Sequence, residues 1–170
     1  ASLAIATPSK AQSYQSTPDI IYGQRCYVER NGRHVAHGDK NGTGAYSWPS
    51  TKNTQVVYYL HVPEGYTKMN AYITPKSKCS LHLVVTDPET EATVYETEAG
   101  ASGTKSVAVE MMTDFNFPKD QWYRFEFSAA PENSSIASIE KLEFYRESTK
   151  NITTSAIFMA PSTHLWTSTP

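Results

Sequence analysis

Two stretches whose side chains sort into two faces at a two-residue period do most to limit what this chain can become. From Thr54 to Val62, the side chains of Val56, Tyr58, Leu60 and Val62 fall on one side, and those of Val57, Tyr59 and His61 on the other. From Gln121 to Ser128, Tyr123, Phe125 and Phe127 oppose Trp122, Arg124, Glu126 and Ser128. A two-residue period is that of a strand, whose successive side chains point to opposite faces of a sheet. The core face of the second segment is the one with Tyr123, Phe125 and Phe127, because the alternate set carries two charges.

Other segments follow suit. Residues 20 to 30 read as a first strand, and Pro63-Glu-Gly65 stops the one that ends at Val62. Met69 to Thr74 and Lys78 to Thr86 read as a pair split by Pro75, the second closed by Asp87-Pro88. Thr93 to Thr97 and Ser106 to Met112 suggest a hairpin across Gly100-Ala-Ser-Gly103. Ile136 to Arg146 offers Ile139, Leu142 and Phe144 to a core, although Ile139-Glu-Lys-Leu-Glu143 would also suit one helical turn. No apolar stripe of helical period is sustained over three turns. About nine short strands, spaced about ten residues apart and divided by Pro and Gly, predict an all-β antiparallel two-sheet β-sandwich of jelly-roll type.

The chain has 170 residues, the length of one ordinary domain able to bury a core without staples. Residues 1–18, rich in Ala, Ser, Thr, Gln and Pro, read as a flexible segment or linker. Residues 19–150 form the sandwich, and 151–170, with Ile157, Phe158 and Met159, read as a final strand or the start of a downstream domain. Eleven Tyr, three Trp and six Phe give an aromatic-rich chain, and a formal net charge of -2 offers no electrostatic reason for a nucleic-acid or acidic-membrane partner. Cys26 and Cys79, each inside a strand-like run, have no metal-ligand spacing. They would be either one disulfide in an exported protein or two buried thiols.

Function is sought first in Arg33 to Pro49, which gathers two His, an Asp, an Asn, three Gly, a Tyr and a Trp. Gly38, Gly42 and Gly44 would let the backbone turn through conformations closed to other residues. Aromatic rings pack against the C–H face of a sugar, and a few fixed polar groups bond its hydroxyls. Tyr46 and Trp48 would form such a platform, with Arg33, His37, Asp39 and Asn41 as polar contacts and Tyr59 or His61 alongside. The bland alternative is that Tyr46 and Trp48 cap the core.

Other chemistries have less behind them. His34, His37 and Asp39 match no established zinc spacing. Calcium could be held by Asp39 and Asn41 or by the Asp87 turn, though these are also ordinary turn formers. Glu29, Glu64, Asp87, Glu89, Glu91, Glu98, Glu140 and Glu143 fall at turn-like or exposed strand positions, and no pair stands out for glycoside hydrolysis. There is no Gly-x-Ser-x-Gly nucleophile motif. Proton abstraction of the lyase kind would need Arg33, His37 and Tyr46 to converge. The triplets beginning at Asn41, Asn133 and Asn151 have the form of glycosylation acceptors, but a chain rich in Ser and Thr produces these by chance.

The pair Asp120-Gln-Trp-Tyr-Arg-Phe-Glu-Phe127 and Ile136-Ala-Ser-Ile-Glu-Lys-Leu-Glu-Phe144 resembles the last strands of galactose-binding-like jelly rolls, a clan that includes many carbohydrate-binding modules. His37-Gly-Asp-Lys-Asn-Gly-Thr-Gly-Ala-Tyr-Ser-Trp-Pro49, Tyr58-Tyr-Leu-His-Val-Pro-Glu-Gly65 and Ala160-Pro-Ser-Thr-His-Leu165 are similar to an N-terminal sandwich module of secreted Bacteroidetes-type proteins. The resemblance implies a secreted or cell-surface setting, polysaccharide as partner and a further C-terminal domain, and it transfers no catalytic residue. The acidic N-terminal strand motif that supplies calcium ligands in the better-known sugar-binding jelly rolls is missing here. The expectation is a non-catalytic carbohydrate-binding module without a cofactor, the alternatives being a structural module beside a catalytic domain and a small polysaccharide lyase.

Overall fold

The computed structural model describes Tyr14, residues 17–147 and the backbone of Phe158–Met159. Expectations for the rest of residues 1–16 and 148–170 lie outside the described residues. Among the described residues twelve strands follow in order: β1 (Asp19–Tyr22), β2 (Tyr27–Arg30), β3 (Arg33–His37), β4 (Tyr46–Ser47), β5 (Thr54–Val62), β6 (Tyr66–Pro75), β7 (Cys79–Thr86), β8 (Thr93–Ala101), β9 (Val107–Met112), β10 (Gln121–Ala130), β11 (Ile136–Arg146) and β12 (Phe158–Met159). All pairings between these strands are antiparallel. A five-stranded sheet runs β1-β11-β6-β9 with β4 also on β11, and a seven-stranded sheet runs β3-β2-β5-β10-β7-β8 with β12 also on β5.

The core lies between these two layers. From the large sheet come Val56, Tyr58, Leu60, Leu81, Leu83, Val85, Tyr123, Phe125 and Phe127, and from the small one Met69, Ala71, Ile73, Ile139 and Leu142, all fully buried. Phe125 of β10 meets Phe144 of β11 edge-to-face across the layers, with centroids 5.7 Å apart. Each such ring, taken from water into the sandwich, contributes about 2–3 kcal/mol. The expected inward face of β10 is the observed one, and in β5 it is the row Val56, Tyr58, Leu60 and Val62 that lies in the core.

Several pairings differ from expectation because the chain keeps changing sheets. The segment 20–30 is two strands: β1 belongs to the small sheet and β2 to the large one, with a 3-10 turn, Gly23–Arg25, at the crossing. That crossing requires glycine, since a Cβ on Gly23 would lie 2.0 Å from the Ile139 carbonyl oxygen. The Tyr58 hydroxyl, from the opposite layer, donates to the Gly23 carbonyl at 2.9 Å. The expected pair of β6 and β7 and the expected hairpin of β8 and β9 do not form. In each case the two strands lie in different sheets, β7 pairing with β8 and β6 with β9. β11 is a strand throughout, but its register on β6 shifts between Ile139 and Lys141. That shift places Ile139 and Leu142, three apart, both in the core, which accounts for the helix-like spacing.

Cys26 and Cys79 are separate buried thiols and not a disulfide. Burial, only partly offset by a backbone hydrogen bond at Gly38, pushes the Cys26 thiol up to about 12.

Candidate functional site

The glycine-rich segment is not one loop. Arg33 to His37 is strand β3, paired back onto β2 through a two-residue turn, Asn31-Gly32, in which both residues have positive φ, 53° and 75°. Such a turn matches the twist of the strands it joins. The segment after β3 then crosses to the small sheet, where Tyr46 pairs with Ile139. Gly38, Gly42 and Gly44 are absent from the positive-φ residues, so conformational freedom is not what they supply. They let the crossing lie against Gln24: a Cβ on Gly38 would be 1.8 Å from the Gln24 carbonyl oxygen, and one on Gly42 would be 2.4 Å from Gln24 Oε1. Gly44 N–H donates to the same Oε1 at 3.0 Å, and Asp39 N–H donates to the Gln24 carbonyl.

The residues expected to grip a ligand are therefore separated. Trp48 is buried, 6% exposed, and its indole N–H donates to Asn133 Oδ1 at 3.0 Å. Asn133 in turn donates to the carbonyls of Thr51 and Thr54, so its amide holds the loop down. Trp48 offers no open ring face, and Tyr46 is half-buried against the core. A stacking platform made of these two rings is thus overturned by packing. Arg33 and Asn41 are exposed, and Asp39, also exposed, accepts the Asn41 N–H in a local turn. His37 closes β3 with its Nδ1 2.8 Å from the Gly38 carbonyl oxygen. Among the described residues, no group of three or more His, Cys, Asp or Glu side chains is arranged to hold a metal ion.

Tyr59 belongs to a different constellation, on the outer face of the seven-stranded sheet. It stands opposite Arg124 across the β5–β10 pair, and one step along the same pair His61 stands opposite Trp122. Glu29 of β2, expected at an exposed position, is buried at 5% exposure, and so is Glu143 at 7%. The reason is full pairing: Glu29 Oε1 accepts from Arg124 Nη2 at 2.7 Å, and Oε2 accepts from the Tyr59 hydroxyl and from His34 Nε2, each at 3.0 Å. Arg124 Nη2 also reaches Glu126 at 3.0 Å. Burial opposes the guanidinium's charge, but the hydrogen bond and charge of Glu29, helped by Glu126, prevail and hold it above its ordinary value. Burial, followed by the Glu29 charge, pushes the Tyr59 phenol up to about 12, so it remains a donor.

Rings border this network. His34 stacks on Tyr27 at 4.9 Å and 12°, Tyr27 meets Tyr59 edge-on at 5.4 Å, and Trp122 meets His61 edge-on at 5.3 Å. The His61 Nε2 lies 2.8 Å from Asp120 Oδ1. Beside Tyr59 and Arg124 lies an open cleft of about 530 Å³, walled by Glu29 and Gly32 on one side and by Thr86, Asp87, Pro88 and Glu91 on the other. Fixed donors and acceptors next to partly exposed rings can hold a polar ligand that also has apolar faces.

Of this site the sequence reading identified Tyr59 and the rows that carry Tyr59 and Arg124, but not that they meet. The missed signal was Asn31-Gly32, a strong short-range hairpin mark, which turns Arg33–His37 back onto β2 and brings His34 to Glu29.

Neither a family model nor a curated protein matches the chain. Two solved structures do. One is a family two carbohydrate esterase from Cellvibrio japonicus, at 12% identity and a TM-score of 0.40, covering 88% of this chain and 35% of that one. The other is an active-site mutant of a family two carbohydrate esterase from Clostridium thermocellum, at 11% identity and a TM-score of 0.37, covering 85% and 33%. The chain spans about a third of the length of the structures it matches. Likenesses this loose say nothing of what the chain binds.

Proposed function

We propose that the chain is a non-catalytic carbohydrate-binding module acting on polysaccharide outside the cell, with its site on the outer face of the seven-stranded sheet. The observation that carries this reading is Tyr59 and Arg124 in the cleft wall, fixed by Glu29, with the Trp122 and His61 rings one step along the same strand pair. A sugar laid along the row would stack a C–H face on Trp122 or Tyr59 and turn its hydroxyls to the Arg124, Glu29 and Thr86 side. An open cleft of this kind makes a shallow site. A stacked ring contributes about 1–3 kcal/mol by analogy with base stacking, so one site binds weakly. Linkage to further domains would raise the effective affinity.

The test is retardation in gels containing plant, host and microbial polysaccharides, with Trp122→Ala and Trp48→Phe run beside the parent chain. The expected result is retardation by at least one polysaccharide, reduced about tenfold in affinity by Trp122→Ala and kept by folded Trp48→Phe. No retardation by any polysaccharide would reject the reading. The second reading, a structural module supporting a neighbouring domain, is favoured by the burial of Trp48 against Asn133, where an exposed platform had been expected.

A further inference from the structure

The cleft has a charge bias that bears on which glycans it accepts, an inference resting on the carbohydrate-binding reading. Its described charged lining consists of Glu29, Asp87 and Glu91 against Arg124. The guanidinium is committed through its Nη2, which is shared by Glu29 at 2.7 Å and Glu126 at 3.0 Å. Glu29 is equally engaged, with both oxygens occupied by Arg124, Tyr59 and His34. What remains is the opposite wall, formed by the turn after β7. There Asp87 Oδ1 accepts the N–H of Glu89 at 2.9 Å, and the Asp87 carbonyl accepts the N–H of Glu91 at 2.8 Å. The turn is pinned by Glu91 in the left-handed region, φ 63°, with its side chain exposed. Gln121 and the Glu89 N–H hold the Asp87 carboxyl below its ordinary range, so it is ionised wherever a polysaccharide would be met.

We infer that this cleft prefers glycans carrying free amino groups over neutral glycans, and excludes polyuronates. An ammonium group on the sugar would find Asp87 and Glu91 on its side of the cleft, with the Lys119 charge offsetting Asp87 only in part. A uronate would bring a third carboxylate to a wall that has no free cation among its described residues. Like-charge placement of this kind discriminates by repulsion as much as attraction does by fit.

Three probes of equal length test it at low ionic strength and mildly acidic pH, where sugar amines are protonated: a chitosan hexamer, cellohexaose and hexagalacturonate, each titrated calorimetrically. The expected order is chitosan hexamer, cellohexaose, hexagalacturonate, with about tenfold or more between first and last, the scale of one charge–charge contact in a partly solvated site. Glu91→Lys, at an exposed turn position, should weaken the chitosan hexamer and narrow that gap. Tyr59→Phe should weaken chitosan and cello-oligomers together. Equal or tighter binding of hexagalacturonate would overturn the preference while leaving glycan binding intact. Chitosan binding indifferent to both substitutions would also overturn it, since that is general attraction to an acidic chain. Binding of none of the three would reject the carbohydrate reading and the preference with it.

Discussion

Gly38 has a hydrogen where any larger group would run into the Gln24 carbonyl, and with Gly42 and Gly44 against the Gln24 side chain this close approach explains why the segment after β3 is glycine-rich. Replacing Gly38 by Ala puts a Cβ 1.8 Å from that oxygen, so the backbone must move. The expected cost is about 1–3 kcal/mol, the range for forcing atoms into a packed site. At Gly100 the nearest atom to an added Cβ is the Cys79 carbonyl oxygen at 3.8 Å, an ordinary contact. Urea denaturation of Gly38→Ala and Gly100→Ala side by side should show a lowered midpoint in the first and little change in the second. Equal midpoints would mean that the crossing tolerates displacement. The cluster of glycines was legible as a constrained stretch, but its purpose was not. Its partner, Gln24, lies on a different segment, and a one-dimensional reading assigns glycine to turning before it assigns it to close approach. Trp48 illustrates the same difficulty. An aromatic beside polar loop residues looks available until Asn133, far along the chain, is seen to bond its indole.

At the scale of elements, the β2–β3 hairpin carries Glu29 and His34 to β5 and β10 and so assembles the polar network. Glu29 is the common acceptor, with a side chain only 6% exposed. Glu29→Ala would leave Arg124 with Glu126 alone on its Nη2, and Tyr59 and His34 without their acceptor. Because Arg124 keeps Glu126 and some access to solvent, the loss should be about 2–4 kcal/mol, toward the low side of a broken buried pair. Glu29→Gln, which keeps an acceptor oxygen, should cost less, and thermal melts of the two variants would rank them. A Glu29→Gln chain less stable than Glu29→Ala would contradict this account. Alternation in β10 predicted the inward face correctly, since the period-two pattern is local. Pairing was less legible. Neighbours in sequence, β6 with β7 and β8 with β9, looked like hairpins but lie in opposite layers, because nothing in a short Pro- or Gly-containing link states whether it turns within a sheet or crosses between sheets. The shifted register of β11 had a visible trace, the three-residue spacing of Ile139 and Leu142, which imitates a helix.

For the molecule as a whole, the two layers meet over a core that includes the Cys26 thiol, and this has a consequence for pH. Its folded value of about 12 stands above the 9.0 of a free thiol, so the folded state favours the protonated form. The stability this contributes is complete below pH about 9 and is lost as pH rises toward about 12, at up to about 1.4 kcal/mol per pH unit. Cys26→Ala removes this component, so its alkaline stability curve should fall less steeply than that of the parent chain. Parallel curves would show that the thiol is not protected in the folded state. The overall architecture, an antiparallel sandwich, was readable because twenty aromatic residues, alternating strands and frequent Pro and Gly leave few other solutions. The site was only half readable, because it is formed by outward side chains from four strands whose order in the sheet the sequence does not state. Amide NMR of the labelled chain, titrated with whichever polysaccharide retards it, locates binding without assuming a residue. The shifts should cluster on Glu29, His34, Tyr59, Trp122 and Arg124 and on the turn from Thr86 to Glu91. Shifts confined to the 38–48 crossing or to the outer face of the five-stranded sheet, with the seven-stranded face silent, would contradict the assignment of the site.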